Sequence, residues 1–164
     1  MEIERKFLVK DISKLNLDKY KRKIIIQDYL YTDKFTAIRK RYIEQDNNKI
    51  YKYTVKTNKT KYAVNEIEKD ITEEQYNELE VNPKNHTIEK VRYLIPYIEG
   101  LIIELDVFLG DYKGIVFAEI EFKSEEQANY IELPEWFGRE LSNEVTNSMM
   151  ATMNVEIIKN KLNG

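Results

Sequence analysis

Along most of this chain, polar and apolar residues change places every second position, the period of a strand with one buried face. The opening "MEIERKFLV" sets the pattern: Glu2, Glu4 and Lys6 share one face, and Ile3 and Phe7 share the other. "AIRKRYIE" brings Arg39 and Arg41 into phase, and "KIYKYTVKT" sets Lys52, Thr54 and Lys56 against Tyr51, Tyr53 and Val55. "AVNEIEKDI" aligns Glu66, Glu68 and Asp70 against Ile67 and Ile71, less cleanly, because Val64 falls in the charged phase. "IEKVRYLI" pairs Lys90 with Arg92, "LIIELDVFLG" pairs Glu104 with Asp106, and "IVFAEIEFK" gives Glu119, Glu121 and Lys123 against Ile120 and Phe122. These segments predict seven strands, and "KIIIQDYLYT" (23–32) supplies an eighth. "EQDNNK" predicts a hairpin loop, because Asp46, Asn47 and Asn48 tolerate turn geometry.

Helices are fewer. Thr72 with Gln75, and Ser124 with Gln127, form two capping-box signals that predict short helices after them. A third helix is expected from Ser142 or Asn147 through Met149, Met150 and Met153 towards Lys161. The elements together predict a mainly β member of the α+β class, with residues 1–164 forming one domain.

Composition narrows the function. Charged residues make up 34% of the chain, yet its net charge is only −3, so both signs are dense and no polycation is offered to nucleic acid. The absence of cysteine removes disulfides, thiolate nucleophiles and thiolate metal sites, and the single His86 removes multi-histidine zinc sites. No apolar leader opens the sequence and no apolar run reaches the roughly 20 residues that span a bilayer, so a cytoplasmic, membrane-free protein is expected.

The charges are also sorted by strand. A solvated face of an antiparallel sheet needs no function to carry alternating Glu and Lys. Here, however, Arg39/Arg41 and Lys90/Arg92 are purely basic, while Glu66/Glu68, Glu104/Asp106 and Glu119/Glu121 are purely acidic. Like charges two apart on one face repel, so a sheet built for stability alone would mix them. Eight strands can remove their edges by closing into a barrel, and a charged inner face would then line a polar tunnel. Arginine forks suit phosphate oxygens, and carboxylates suit hard divalent cations. Phosphate with metal points to a polyphosphate or nucleoside triphosphate, and to phosphoryl transfer.

"EIERKF" resembles the E-x-E-x-K signature of the CYTH superfamily, the triphosphate tunnel metalloenzymes. The resemblance continues through "AIRKR", "YTVKT", "NEIEK", "EKVRY", "ELDVF" and "AEIEF" to "PEWFG", nearly the whole chain in family order. It implies a closed eight-stranded antiparallel tunnel with a few flanking helices and a C-terminal helix, a small-molecule triphosphate substrate, and Mg²⁺ or Mn²⁺. By motif, Lys6, Arg39, Arg41, Lys56, Lys90 and Arg92 would hold the triphosphate. Glu2, Glu4, Glu119 and Glu121 would hold metal, with Glu104 and Asp106 as helpers. Glu66 and Glu68 match an acidic pair of less defined role, and Glu4, Lys6, Arg39 and Lys90 would serve catalysis. Inorganic tripolyphosphate is the expected substrate. The alternatives are a class IV-type adenylyl cyclase acting on ATP and a non-catalytic polyphosphate or nucleotide binder, and a homodimer is compatible with all three.

One segment departs from the family pattern. Between Arg139 and Lys159 the chain has no lysine or arginine, where close bacterial relatives carry a basic-Tyr-x-Asn stretch on a helix plugging the tunnel. An apolar plug is therefore expected, with Met149, Met150 and Met153 facing the barrel. Trp136 and Phe137 read as a packing anchor, His86 as an ordinary surface residue, and "KYKRK" (19–23) as a solvated basic run.

Overall fold

The computed structural model describes residues 1–58, 60, 63–142 and 144–163. The strands are β1 (Glu2–Leu8), β2 (Lys21–Thr32), β3 (Thr36–Gln45), β4 (Asn48–Asn58), β5 (Ala63–Ile71), β6 (Ile88–Pro96), β7 (Ile102–Phe108) and β8 (Val116–Phe122). They close into a barrel in the order β1-β5-β4-β3-β2-β6-β7-β8, every pairing antiparallel. Closure gives each strand a neighbour on both sides, so the charged face lines an interior. The β3–β4 hairpin turns on Asp46 and Asn47, both in the left-handed region at φ 52° and 68°, as that turn demands.

The closure is uneven. β1 pairs with β8 over six residue pairs from Ile3↔Phe122 to Leu8↔Phe117, but meets β5 at Glu2↔Val64 and Ile3↔Ala63 among the described residues. Further along, a strap at 138–142 lies on the free edge of β1. Gly138 N–H donates to Leu8 O (2.8 Å), Leu8 N–H to Arg139 O (2.8 Å), and Leu141 N–H to Lys6 O (2.8 Å). A Cβ at Gly138 would stand 2.5 Å from Leu8 O, so only glycine lets the strap lie this close. Arg5 pins the strap from outside, its fork reaching both Glu140 oxygens at 3.1 and 2.6 Å.

Two apolar clusters flank the wall. Outside, Leu105, Ala118 and Ile120 pack under α2 (Glu125–Tyr130) and the Trp136–Phe137 corner. Phe137 packs with its ring centre 4.8 Å from those of Phe7 and Trp136, edge-on to the second, the anchoring role expected of that pair. Inside one end, Leu8, Ile88, Phe108 and Phe117 meet Met150, Ala151 and Ile158, so the C-terminal segment fills that end of the tunnel. The long terminal helix expected from sequence is two helices, α3 (Asn147–Thr152) and α4 (Val155–Asn163). Asn154 separates them, its side-chain oxygen accepting from the backbone N–H of Glu156 and Ile157 and starting α4 afresh. Both capping-box positions hold their helices: Thr72 and Gln75 cap α1 (Glu73–Glu78) reciprocally, and Ser124 accepts from Gln127. His86 is half-buried, its N–H donating to Ala151 O, and the 19–23 run is mostly exposed. No helix of the described residues is long and apolar enough to cross a membrane.

Candidate functional site

Strand register fixes what faces inward. Opposed residues share a face, so Glu2↔Val64, Glu4↔Glu121, Lys6↔Glu119, Lys56↔Glu66, Thr54↔Glu68, Arg92↔Asp106 and Glu104↔Glu119 place these side chains on the inner wall. Arg39 and Arg41 follow through Thr54 and Lys52, and Lys90 through Phe108. All fourteen residues expected from sequence thus face one interior. Val64 joins them, which explains its place in the charged phase, while Ile67 points outward and is 73% exposed.

The acidic corner is short of positive charge. The Lys56 ammonium lies 3.6 Å from Glu2, 3.8 Å from Glu4 and 3.7 Å from Glu66, one cation for three carboxylates. Burial, and then a carboxyl–carboxyl hydrogen bond to Glu66, push Glu2 up to about 9. Burial and the Glu119 charge push Glu4 up to about 8, while Glu119 is held low, against its own burial, by its hydrogen bond with Glu4 and the charge of Lys6. Burial also raises Glu121, helped by Glu104. Among the described residues, no three side chains already converge as a metal cage. The carboxyls instead pair, Glu2 with Glu66 and Glu4 with Glu119, and in each pair one partner is pushed up and the other down. A divalent ion fits that deficit.

The basic wall has the opposite imbalance. Arg39 and Arg41 are buried side by side, and the Nε–H of each lacks a partner within the protein. Arg41 reaches Glu68 only at 3.8 Å. Burial, and then the neighbouring Arg39 and Arg92 charges, push it down to about 9. Glu68 is shared with Thr54 Oγ1–H (2.8 Å) and Lys52 (3.6 Å), the second of which also meets Asp70 at 2.6 Å.

A tight ionic cluster occupies the β6–β7 side. Arg92 forks onto Asp106 at 2.7 and 2.9 Å and reaches Glu104 at 3.0 Å, and Lys90 meets Asp106 at 2.8 Å. Asp106 is buried, yet Arg92 and Lys90 hold its carboxyl well below the usual range. Burial pushes Lys90 down to about 7, aided by Arg92 and Arg41 and opposed by Asp106. The structure therefore gives Asp106 and Glu104 cations as neighbours, where the sequence suggested helpers to a metal.

Between these groups lies a cavity of about 410 Å³, reached by Glu4, Lys6, Arg39, Lys56 and Glu119 from the barrel. The strap and α3 add Ser142, Thr146, Asn147, Ser148 and Met149. The plug carries no cation but is not simply apolar: Val145 O accepts from Lys6 Nζ (3.3 Å), and Asn147 Oδ1 lies 3.5 Å from Lys90 Nζ. Asp33, Lys34 and Phe35 at the β2–β3 turn and Tyr29 on β2 also line it. Sequence reading passed over Tyr29 and its neighbour in phase, Gln27. The alternation at 25, 27 and 29 was the available signal, hidden by the run of isoleucines before it.

A closed antiparallel barrel with sorted charges inside defines the class: a tunnel built for a polyanion. No family model matches the chain. It is 37% identical over 142 residues to the inorganic triphosphatase of Acetivibrio thermocellus, covering 86% of this chain and 85% of that protein. A shorter match, 36% over 77 residues, covers 47% of this chain and 50% of the inorganic triphosphatase of Nitrosomonas europaea. A crystal structure of an inorganic triphosphatase superposes with a TM-score of 0.63 at 30% identity, covering 94% of this chain and 96% of that one. The chain belongs to the CYTH superfamily of triphosphate tunnel metalloenzymes.

Proposed function

We propose that this protein hydrolyses inorganic tripolyphosphate to orthophosphate and diphosphate, with Mg²⁺ or Mn²⁺ as its metal. The observation that carries the reading is a double imbalance along the inner wall: buried guanidiniums with unpartnered Nε–H groups on β3, and three carboxyls crowded on the single Lys56 ammonium on another side. A triphosphate with a divalent cation answers both. The inorganic triphosphatase relatives, similar over most of the chain, support the same substrate class.

In this reading Lys6, Arg39, Arg41, Lys56, Lys90 and Arg92 hold the triphosphate. Arg39 and Arg41 present two forks to adjacent phosphoryl groups, and their charge is worth most as it spreads over the equatorial oxygens of the transferred group. Lys6, released from Val145 O, swings its ammonium group to phosphate oxygens. Glu104 and Asp106 orient Arg92 and Lys90, so the forks are set before the anion arrives. Glu2, Glu4, Glu119 and Glu121 would hold the metal, with Glu66 and Glu68 steadying Lys56, Lys52 and Arg41. When bound, the cation neutralises phosphate charge and makes water a better nucleophile.

The test is phosphate release from tripolyphosphate, ATP and thiamine triphosphate with Mg²⁺ or Mn²⁺, run beside a cyclic AMP assay. Tripolyphosphate should be turned over fastest. Cyclic AMP as the main product, or tight tripolyphosphate binding without phosphate release, would overturn the proposal in favour of a cyclase or a receptor.

A further inference from the structure

Buried polar atoms without a partner are not scattered through this protein. Among the described residues they are Gln27 Nε2 and Oε1, Arg39 Nε, Arg41 Nε and Glu2 Oε1, and four of the five lie on adjoining strands β2 and β3. Gln27 stands directly opposite Arg41, as Tyr29 stands opposite Arg39, so the four residues form one patch of inner wall. On its other side Gln27 faces Ile88 of β6, and it is fully buried. The cavity already reaches Tyr29 and Arg39, and Gln27 lies one inward position further along β2.

Nothing in the packing calls for an amide there. A leucine has nearly the same size and would leave no polar atom stranded, whereas an unpartnered buried amide destabilises the fold. Its two ends also ask for different partners. Nε2–H, like the two arginine Nε–H groups, needs an acceptor, which a phosphoryl oxygen supplies. Oε1 needs a donor, and an ionised phosphate has none, but a water molecule beside it does.

We propose that Gln27 is a further catalytic residue of triphosphate hydrolysis, its Nε2–H donating to the terminal phosphoryl group while its Oε1 accepts from the attacking water. A glutamine amide can hold both at once, which aims a water lone pair at phosphorus. The water oxygen bonds to the terminal phosphorus, and the bridging P–O bond breaks, its electron pair passing to the departing diphosphate. Of the two water protons, one stays on the new orthophosphate and the other ends on the diphosphate oxygen. This inference rests on the triphosphatase reading above.

The test compares wild type, Gln27→Leu and Gln27→Glu for tripolyphosphate hydrolysis and thermal unfolding. Gln27→Leu should lower kcat by about 100-fold, as loss of one oriented transition-state contact does, with KM changed by less than about threefold. Its melting temperature should match or exceed wild type, since two stranded atoms are gone. Gln27→Glu keeps the shape but sets a carboxylate against the phosphoryl oxygen that Nε2–H would meet, so it should lose at least as much kcat as Gln27→Leu. Active wild type with Gln27→Leu at wild-type kcat overturns this inference alone. So does activity lost only in proportion to a lowered melting temperature in both variants, which marks a structural group. A wild type that releases no phosphate overturns the triphosphatase reading and takes this inference with it.

Discussion

Replacing Asp106 by asparagine probes the most tightly bound charges in the tunnel. Asp106 accepts two bonds from Arg92 and one from Lys90, and it is 2% exposed. Asparagine keeps the shape but removes the charge, leaving Lys90 and Arg92 with Glu104, which reaches only Arg92. Removing one partner of a buried ionic group costs about 3–5 kcal/mol, because the other charge stays buried uncompensated. For a domain of this length that is a fall in melting temperature of about 6–20 °C. Lys90, already near 7, loses the attraction that opposed its burial and goes lower still, so part of the cost is relieved by its neutrality. A bound polyanion would return the missing negative charge. Thermal unfolding by circular dichroism, with a chelator present to prevent turnover, should therefore show tripolyphosphate stabilising D106N more than wild type. A D106N protein melting within about 2 °C of wild type, or gaining no more from the anion, would refute this account of the cluster.

Two further outcomes follow from other parts of the tunnel. Glu2 and Glu4, raised to about 9 and about 8, are protonated at pH 7, so Mg²⁺ added to weakly buffered protein should release protons, and a flat pH trace would show that these carboxyls do not take the ion. Raised carboxyls contribute stability that is complete below their unfolded value of about 4.3 and is lost progressively as pH climbs from there through about 8 and 9. Lys90, lowered to about 7, gains stability with pH only above that, so the metal-free melting temperature should fall between pH 5 and 7 and fall less when Mg²⁺ is present. In the strap, Gly138→Ala would drive a Cβ into Leu8 O, and at about 1–3 kcal/mol for such overpacking it should lower the melting temperature by several degrees. Full stability of that variant would mean the strap yields freely.

The barrel was legible because a strand reports its faces every second residue, and here one face is charged almost throughout. Spacing put Arg39/Arg41 and Glu119/Glu121 each on one face, and the sorting of charge by strand pointed that face to the interior. The signal failed where both faces of a strand are apolar, as in Ile24, Ile25 and Ile26, so Gln27 and Tyr29 went unnoticed a few residues later. The break between α3 and α4 was also written in the chain, as Asn154, but the apolar residues on either side masked a cap in mid-pattern. Pairing of cations with carboxylates across strands was not legible. That Asp106 would neighbour Arg92 and Lys90 depends on the register of β6 and β7, which composition does not disclose.

The long-range strap on β1 has a consequence for how the chain reaches this shape. Lys6 takes its edge partners from Leu141 and Ser142, about 135 residues away, so the ring cannot be sealed while synthesis is still in its middle. During that interval β1 and β5 present open edges, the feature that invites strand exchange between neighbouring nascent chains. Speed of closure late in translation, more than the strength of the finished wall, then sets how many chains escape aggregation.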